Sequence, residues 1–78
     1  MNLKREEVRH LSEITLYLKT KRLKENKLIE DMAKKLKITP ASYSSKENGR
    51  TQFKVDELKV VKKYLKIDDS DLIKYFFS

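Results

Sequence analysis

The chain has 78 residues, of which 40% are charged and 38% hydrophobic, and its formal net charge is +7 at pH 7. A length of about half an ordinary domain favours a single small core. With no cysteine and one histidine, His10, the sequence excludes a disulfide framework and a Cys/His zinc site. It also lacks a signal peptide and an apolar run long enough to span a membrane, so we expect a cytoplasmic protein with no cofactor, metal or membrane partner.

The charge balance indicates the kind of partner rather than the fold. Nineteen basic residues against 12 acidic ones, with a pI near 9.7, favour an anionic partner such as nucleic acid. Because so small a core gains stability from self-association, a homodimer is expected. An enzyme is not expected, since no set of nucleophile, base and orienting group and no phosphate-binding glycine loop is present.

Residues that break helices are scarce. Gly49 is the one glycine and Pro40 the one proline, and no stretch alternates in the manner of a β-strand. The sequence therefore predicts an all-α fold of five helices with short connections. Pro40 and Gly49 bracket one short helix.

The N-terminal segment, residues 1–11, is predicted to be an extension that is either helical or loose, followed by a domain over residues 12–78. Ser12 is placed to cap the first helix of that domain, which we expect to begin at Glu13, with Leu11 and Leu16 as a hydrophobic staple. Three apolar residues are expected to face inward from it: Ile14, Leu18 and Leu23. Asn26 is expected to separate it from the next helix.

The stretch from Leu28 to Gly49 has the layout of a helix-turn-helix. Its first helix is expected to run from about Leu28 to Leu36 with an apolar packing face: Leu28, Ile29, Met32, Ala33 and Leu36. In the turn, Ile38 is the apolar plug and Thr39 caps the helix that Pro40 opens. That helix is expected to end near Asn48, with Gly49 supplying a left-handed residue.

Two further helices are predicted after an exposed basic loop. The fourth is marked by apolar residues at helical spacing: Val55, Leu58, Val61 and Leu65. Asp68 and Asp71 stand at capping positions of the fifth, which ends in Tyr75, Phe76 and Phe77. Three adjacent aromatic residues cannot all face inward from one helix, so at least one is expected to be available to a partner subunit.

These residues resemble the xenobiotic-response-element family of helix-turn-helix proteins, which includes Cro and the phage repressors. The resemblance covers roughly residues 14–73 and rests on matched apolar, turn and polar positions: Leu18, Arg22, Met32, Ala33, Leu36, Ile38, Thr39, Glu47, Asn48, Gly49, Val55, Leu58, Val61, Leu65 and Ile67. It implies a lambda-repressor-like domain of bacterial or phage type. It also implies an ion pair between Arg22 and Glu47, in which a planar guanidinium holds a carboxylate with two hydrogen bonds.

The resemblance further implies that the third helix enters the DNA major groove and the second crosses the backbone. The base-reading candidates are then short side chains: Pro40, Ala41, Ser42, Ser44 and Ser45. Because none is a long hydrogen-bonding fork, direct readout is expected to be thin and DNA shape to contribute. Candidates for phosphate contact cluster around the motif: Lys37, Lys46, Asn48, Arg50 and Lys54. For the lysines, the arginine and the serines, the alternative is an ordinary solvated surface.

Tyr43 and Lys46 occupy positions that are apolar in the family. Tyr43 occupies an apolar core position in the family and is interpreted as core, with a DNA contact as the alternative. Lys46 occupies another apolar position, where its stem covers core surface while its ammonium reaches a phosphate.

The leading hypothesis is a repressor-like regulator of transcription that binds double-stranded DNA sequence-specifically, as a homodimer on an operator. The short side chains of the third helix leave a second hypothesis open. In it the same fold serves as a protein-interaction module, such as an antitoxin or antirepressor, with a regulatory protein as its partner.

Overall fold

The computed structural model describes the backbone of residues 5–76 and the side chains of residues 13–76. Within that part of the chain it contains five helices and no strand: α1 (Arg5–Lys24), α2 (Ile29–Leu36), α3 (Pro40–Glu47), α4 (Val55–Tyr64) and α5 (Asp69–Phe76). The predicted all-α fold with five helices is confirmed.

The first helix begins earlier than predicted. Helix α1 runs without interruption from Arg5 to Lys24, so the expected start at Glu13 and the capping role of Ser12 are wrong. The physical reason is that no glycine or proline precedes residue 24, and serine is tolerated inside a helix. The staple is also wrong, because Leu16 is 67% exposed. Helix α1 passes through the proposed boundary between residues 11 and 12, and the separate N-terminal extension stays a prediction.

Left-handed residues end four of the described helical segments in the same way. Asn26, Lys37 and Lys66 have φ angles between 55° and 58°, and Gly49 has φ 80°. Each backbone reversal brings the next residue's N–H onto the carbonyl five residues earlier, as when Ile38 donates to Ala33 at 3.0 Å. The sequence predicted this conformation at Gly49 and a helix break at Asn26. The sequence did not predict the left-handed conformation at Lys37 and Lys66, because lysine has no preference for positive φ.

The buried core is formed mainly by apolar residues from the first four helices and the segment after α4: Leu18, Met32, Ala33, Tyr43, Leu58, Val61, Leu65 and Ile67. Ile38 and Ile29 pack against it and are half-buried. The core interpretation of Tyr43 is confirmed, since its side chain is fully buried. Three expected inward-facing residues, Leu23, Leu28 and Val55, are instead each 62% exposed, because they stand at or beside helix ends where little packs over them.

The aromatic end of the chain closes the fold over α1. Tyr75 stacks on Tyr17 with ring centroids 4.5 Å apart, and Phe76 meets Phe53 edge to face at 6.5 Å. The Tyr17 hydroxyl donates to Asp71 Oδ2 at 2.8 Å, so Asp71 links α5 to α1 rather than serving only at its own helix end. Tyr75 and Phe76 therefore make contacts inside the chain and are half-buried, and the prediction that at least one of the three aromatic residues contacts a partner subunit stays a prediction. Phe77 lies outside the described residues.

Candidate nucleic-acid interface

Helix α3, the predicted recognition helix, begins at a capped turn. Thr39 has an extended backbone, and its Oγ1 accepts a hydrogen bond from the Ser42 N–H at 3.1 Å, which satisfies a donor that the first helical turn leaves without a partner. Pro40 then begins α3 with a backbone angle already suited to a helix. The predicted cap and turn are confirmed, so α3 follows α2 after a connection of fixed geometry.

The base-reading candidates divide into two groups by exposure. Pro40, Ala41 and Ser42 are exposed, whereas Ser44 and Ser45 are half-buried. The Ser44 carbonyl and hydroxyl oxygens both accept from the side-chain amide of Asn48, at 2.9 and 3.3 Å. The first turn of α3 is therefore the most accessible part of the predicted reading face.

Three of the five phosphate candidates extend from exposed positions at the two ends of α3. Lys37 lies in the turn before it, and Arg50 and Lys54 lie in the segment after it. Asn48 is also exposed, but its amide caps the end of α3 through Ser44. The described structure thus places positive side chains before and after the exposed start of α3.

Lys46 does not have the predicted phosphate-facing geometry. Its ammonium lies 2.9 Å from Glu57 Oε1 and 3.2 Å from the Gln52 carbonyl oxygen, and the Lys46 and Glu57 side chains are each 12% exposed. The correction has a simple cause, because an ammonium that turns inward needs a carboxylate to offset the loss of water. Lys46 therefore links α3 to the start of α4 and is not an exposed cation.

Glu57 serves two donors with one oxygen. Besides Lys46, its Oε1 accepts from the Lys54 N–H at 2.8 Å, the contact expected of a glutamate three residues after the start of a helix. Burial acts to raise the pKa of this carboxyl, but the hydrogen bonds from Lys54 and Lys46 outweigh it and hold the pKa below its usual value. Glu57 therefore stays ionised where α4 begins.

The predicted ion pair between Arg22 and Glu47 is present in the structure. Arg22 Nε lies 3.1 Å from Glu47 Oε2, and Nη2 lies 3.3 Å from Oε1, with both side chains buried. Arg22 Nη1 also donates to the Lys27 carbonyl oxygen, and Thr15 Oγ1 donates to the Glu47 carbonyl oxygen, both at 3.0 Å. These bonds join α1 to the segment before α2 and to the end of α3.

Tyr43 lies beside this ion pair. Its hydroxyl oxygen is buried and has no hydrogen-bond partner among the residues that the structure describes. Burial, followed by the nearby Glu47 carboxylate, raises the pKa of the phenol well above its usual value. Tyr43 is therefore a neutral packing residue, and its burial leaves no surface for a DNA contact.

Two features of the basic surface were not found from the sequence. Glu57 was overlooked, although a glutamate three residues after Lys54 is a helix-start signal. The second feature is Tyr64, whose ring is approached by the ammonium groups of Lys27 and Lys35 at 4.6 and 5.2 Å from its centroid. Tyr64 lies far along the chain from both lysines, so no local pattern marks this contact.

Other kinds of site have little support in the described part of the chain. Among these residues no group of three or more histidine, cysteine, aspartate or glutamate side chains could hold a metal ion. None of the helices in the described region is long and apolar enough to cross a membrane.

Comparison with protein families identifies the motif. A helix-turn-helix family model of the Cro and repressor type matches residues 18–72, which include all of α2, α3 and α4. Searches for similar curated proteins and similar solved structures each found no significant match. The chain belongs to this helix-turn-helix family and has a lambda-repressor-like fold.

Proposed function

We propose that this member of the helix-turn-helix family is a sequence-specific, double-stranded DNA-binding regulator of transcription, and within that family one of the xenobiotic-response-element group. The observation that carries the proposal is the exposed first turn of α3, which the Thr39 cap holds in place. Exposed cations lie in the segments before and after this helix. Lys37, Arg50 and Lys54 supply positive charge where a helix lying in the major groove meets the two phosphate strands.

The proposed reading mechanism follows from the size of the α3 side chains. Ala41 and the Pro40 ring are suited to contact with a thymine methyl group, and Ser42 to a hydrogen bond with a base edge. Short side chains require a close approach of the helix to the bases, so the fit of α3 to the groove matters more than any single hydrogen bond. Sequence-dependent DNA shape then supplies part of the specificity.

The proposed regulator acts as a homodimer that represses by occupying an operator. Two copies of α3 would then meet half-sites about 10 bp apart, and the operator would be close to palindromic. On the described surface, Ile73 of α5 is 60% exposed and Leu16 of α1 is 67% exposed, so each would remove apolar surface from water if a second copy packed against it. The dimer would hold its two reading helices at one spacing.

Binding-site selection from random duplex DNA tests the function directly. The expected result is an enriched motif with two-fold symmetry. Titrations of that site at two salt concentrations should show affinity falling steeply as salt rises, because each neutralised phosphate releases counterions. If neither the selected DNA nor random duplex binds at low salt, the proposed function is wrong.

A protein-interaction role is the second candidate, and one observation favours it. Leu23 and Leu28 are each 62% exposed near the junction of α1 and α2, where apolar side chains suit a protein partner better than DNA. In this role the chain would act as an antitoxin or antirepressor. Recovery of a stoichiometric protein complex, together with no binding to duplex DNA, would support it over the first proposal.

A further inference from the structure

The segment between α3 and α4, residues 48–54, is held by an ion pair that points inward rather than toward solvent. We propose that Lys46 and Glu57 are positioning residues that hold this segment in the shape in which Arg50 and Lys54 contact DNA phosphates. The inference rests on the proposed DNA-binding function and extends it to two residues that do not themselves touch DNA.

The segment is attached to α3 both at its beginning and near its end. At its beginning, the N–H groups of Arg50 and Thr51 donate to the Ser45 carbonyl oxygen at 2.9 and 3.4 Å. Near its end, the Lys46 ammonium donates to the Gln52 carbonyl oxygen. The Lys46 side chain therefore reaches from α3 to the Gln52 carbonyl group, near the end of the segment.

The segment is also connected to α4 through Glu57. Glu57 Oε1 accepts from the Lys46 ammonium at 2.9 Å and from the Lys54 N–H at 2.8 Å. Because both bonds meet at one oxygen, the position of the Lys54 backbone depends on the same carboxylate that holds Lys46. The low exposure of the two side chains, 12% each, keeps this contact largely out of competition with water.

The segment presents two cations to solvent. Arg50 and Lys54 have exposed side chains and stand near its two ends. A flexible segment would lose conformational entropy when these cations bind phosphates, which weakens binding. A segment that the fold already holds in place loses less entropy at that step. The pair formed by Lys46 and Glu57 would therefore increase affinity without itself touching the DNA.

Charge and positioning make opposite predictions for one substitution. Glu57→Gln removes a negative charge near the proposed interface, so long-range electrostatics alone predicts tighter DNA binding. Loss of positioning predicts weaker binding, because glutamine is a poorer acceptor for an ammonium than a carboxylate. The sign of the change in affinity thus separates the two explanations.

The experiment compares Glu57→Gln with a matched control, Asp56→Asn, in titrations of duplex DNA from the selection. Asp56 is the exposed neighbour of Glu57 in the first turn of α4. We expect Glu57→Gln to bind roughly tenfold more weakly and Asp56→Asn to bind as well as the wild type or better. Lys46→Met should lose a similar factor, and the double variant Lys46→Met/Glu57→Gln should lose no more than about that factor, because both changes disrupt one interaction.

The salt dependence gives a readout that a purely structural role would not change. If Arg50 and Lys54 lose their phosphates, Glu57→Gln reduces the slope of log affinity against log salt, although it removes no cation. All titrations are made at a temperature at which circular dichroism shows each variant to be folded. Should Glu57→Gln not fold, Lys46→Met/Glu57→Leu replaces the pair with apolar side chains and carries the same expected loss of affinity.

The outcomes separate this inference from the function on which it rests. A wild-type chain that binds no duplex DNA overturns both. A wild-type chain that binds, with a folded Glu57→Gln or Lys46→Met/Glu57→Leu variant that binds as tightly and with the same salt slope, overturns the positioning role alone. Lys46→Met that reduces the slope by about 0.9 while Glu57→Gln leaves it unchanged would mean that Lys46 contacts a phosphate directly, which also overturns it.

Discussion

Arg22 in α1 holds Glu47 at the end of α3 through two hydrogen bonds that are buried from solvent, although the two residues are 25 positions apart in the chain. The pair fixes the rear of the proposed recognition helix, while the Thr39 cap fixes its front. Helix α3 has only 8 residues and a mostly polar outer surface, so its orientation depends on these two attachments more than on its own helical stability.

Removal of one member of this pair should be costly. Glu47→Gln is expected to lower the free energy of unfolding by about 3 kcal/mol, because the buried guanidinium keeps its charge without a carboxylate. Urea denaturation followed by circular dichroism measures the change. The matched control is Lys62→Met, which breaks a pair with the 83% exposed side chain of Asp69 and is expected to cost at most about 1 kcal/mol. Equal effects of the two substitutions would contradict a special role for the buried pair.

Loss of the α3 cap should have a smaller effect. Thr39→Ala leaves the Ser42 N–H without its side-chain acceptor, so we expect about 1 kcal/mol of destabilisation in the same urea measurement. Thr51→Ala, at an exposed threonine in the segment after α3, serves as the control and should change stability by less than about 0.5 kcal/mol. A Thr39→Ala variant as stable as this control would show that the cap contributes nothing.

The ionised state of Glu57 should appear in the pH dependence of stability. Its pKa is lower in the folded chain than the ordinary value of 4.5, so its contribution is present above that value and is lost as the pH falls through the folded pKa. The difference in unfolding free energy between the wild type and Glu57→Gln should therefore be largest near neutral pH and shrink below about pH 4.5. Urea titrations of both proteins at several pH values measure it, and a difference that grows on acidification would contradict the lowered pKa.

The exposed cations after α3 should act on DNA affinity and not on folding. Arg50→Gln and Lys54→Gln are each expected to weaken binding to all duplex sequences and to reduce the salt slope by about 0.9 for each phosphate that the variant no longer neutralises. Lys63→Gln, at an exposed position of α4, is the control for the change in net charge. Equal slopes for all three variants would place the phosphate-binding cations elsewhere on the protein.

The sequence was sufficient for the parts of the fold that depend on neighbouring residues. Asn26, the Thr39 and Pro40 pair and Gly49 predicted helix ends that the structure contains, because a cap or a left-handed turn is decided by residues within a few positions of one another. The failure at the start of α1 has the same origin. Ser12 is an acceptable cap and also an acceptable interior residue, and local pattern does not choose between the two.

The tertiary structure decided which side chains lie inside and which partners Lys46 and Tyr75 have, whereas the pair of Arg22 and Glu47 had been implied by the family resemblance. Nothing near Lys46 in the sequence shows that its ammonium meets Glu57, 11 positions later, and nothing near Tyr75 shows that its ring stacks on Tyr17. The physical reason is that desolvation and packing depend on groups brought together by the chain as a whole, whereas helix ends depend on the backbone nearby. Spacing and local chemistry therefore predicted the helix-turn-helix, and only the assembled fold distinguished Arg50 and Lys54, which face solvent, from Lys46, whose ammonium turns inward to Glu57.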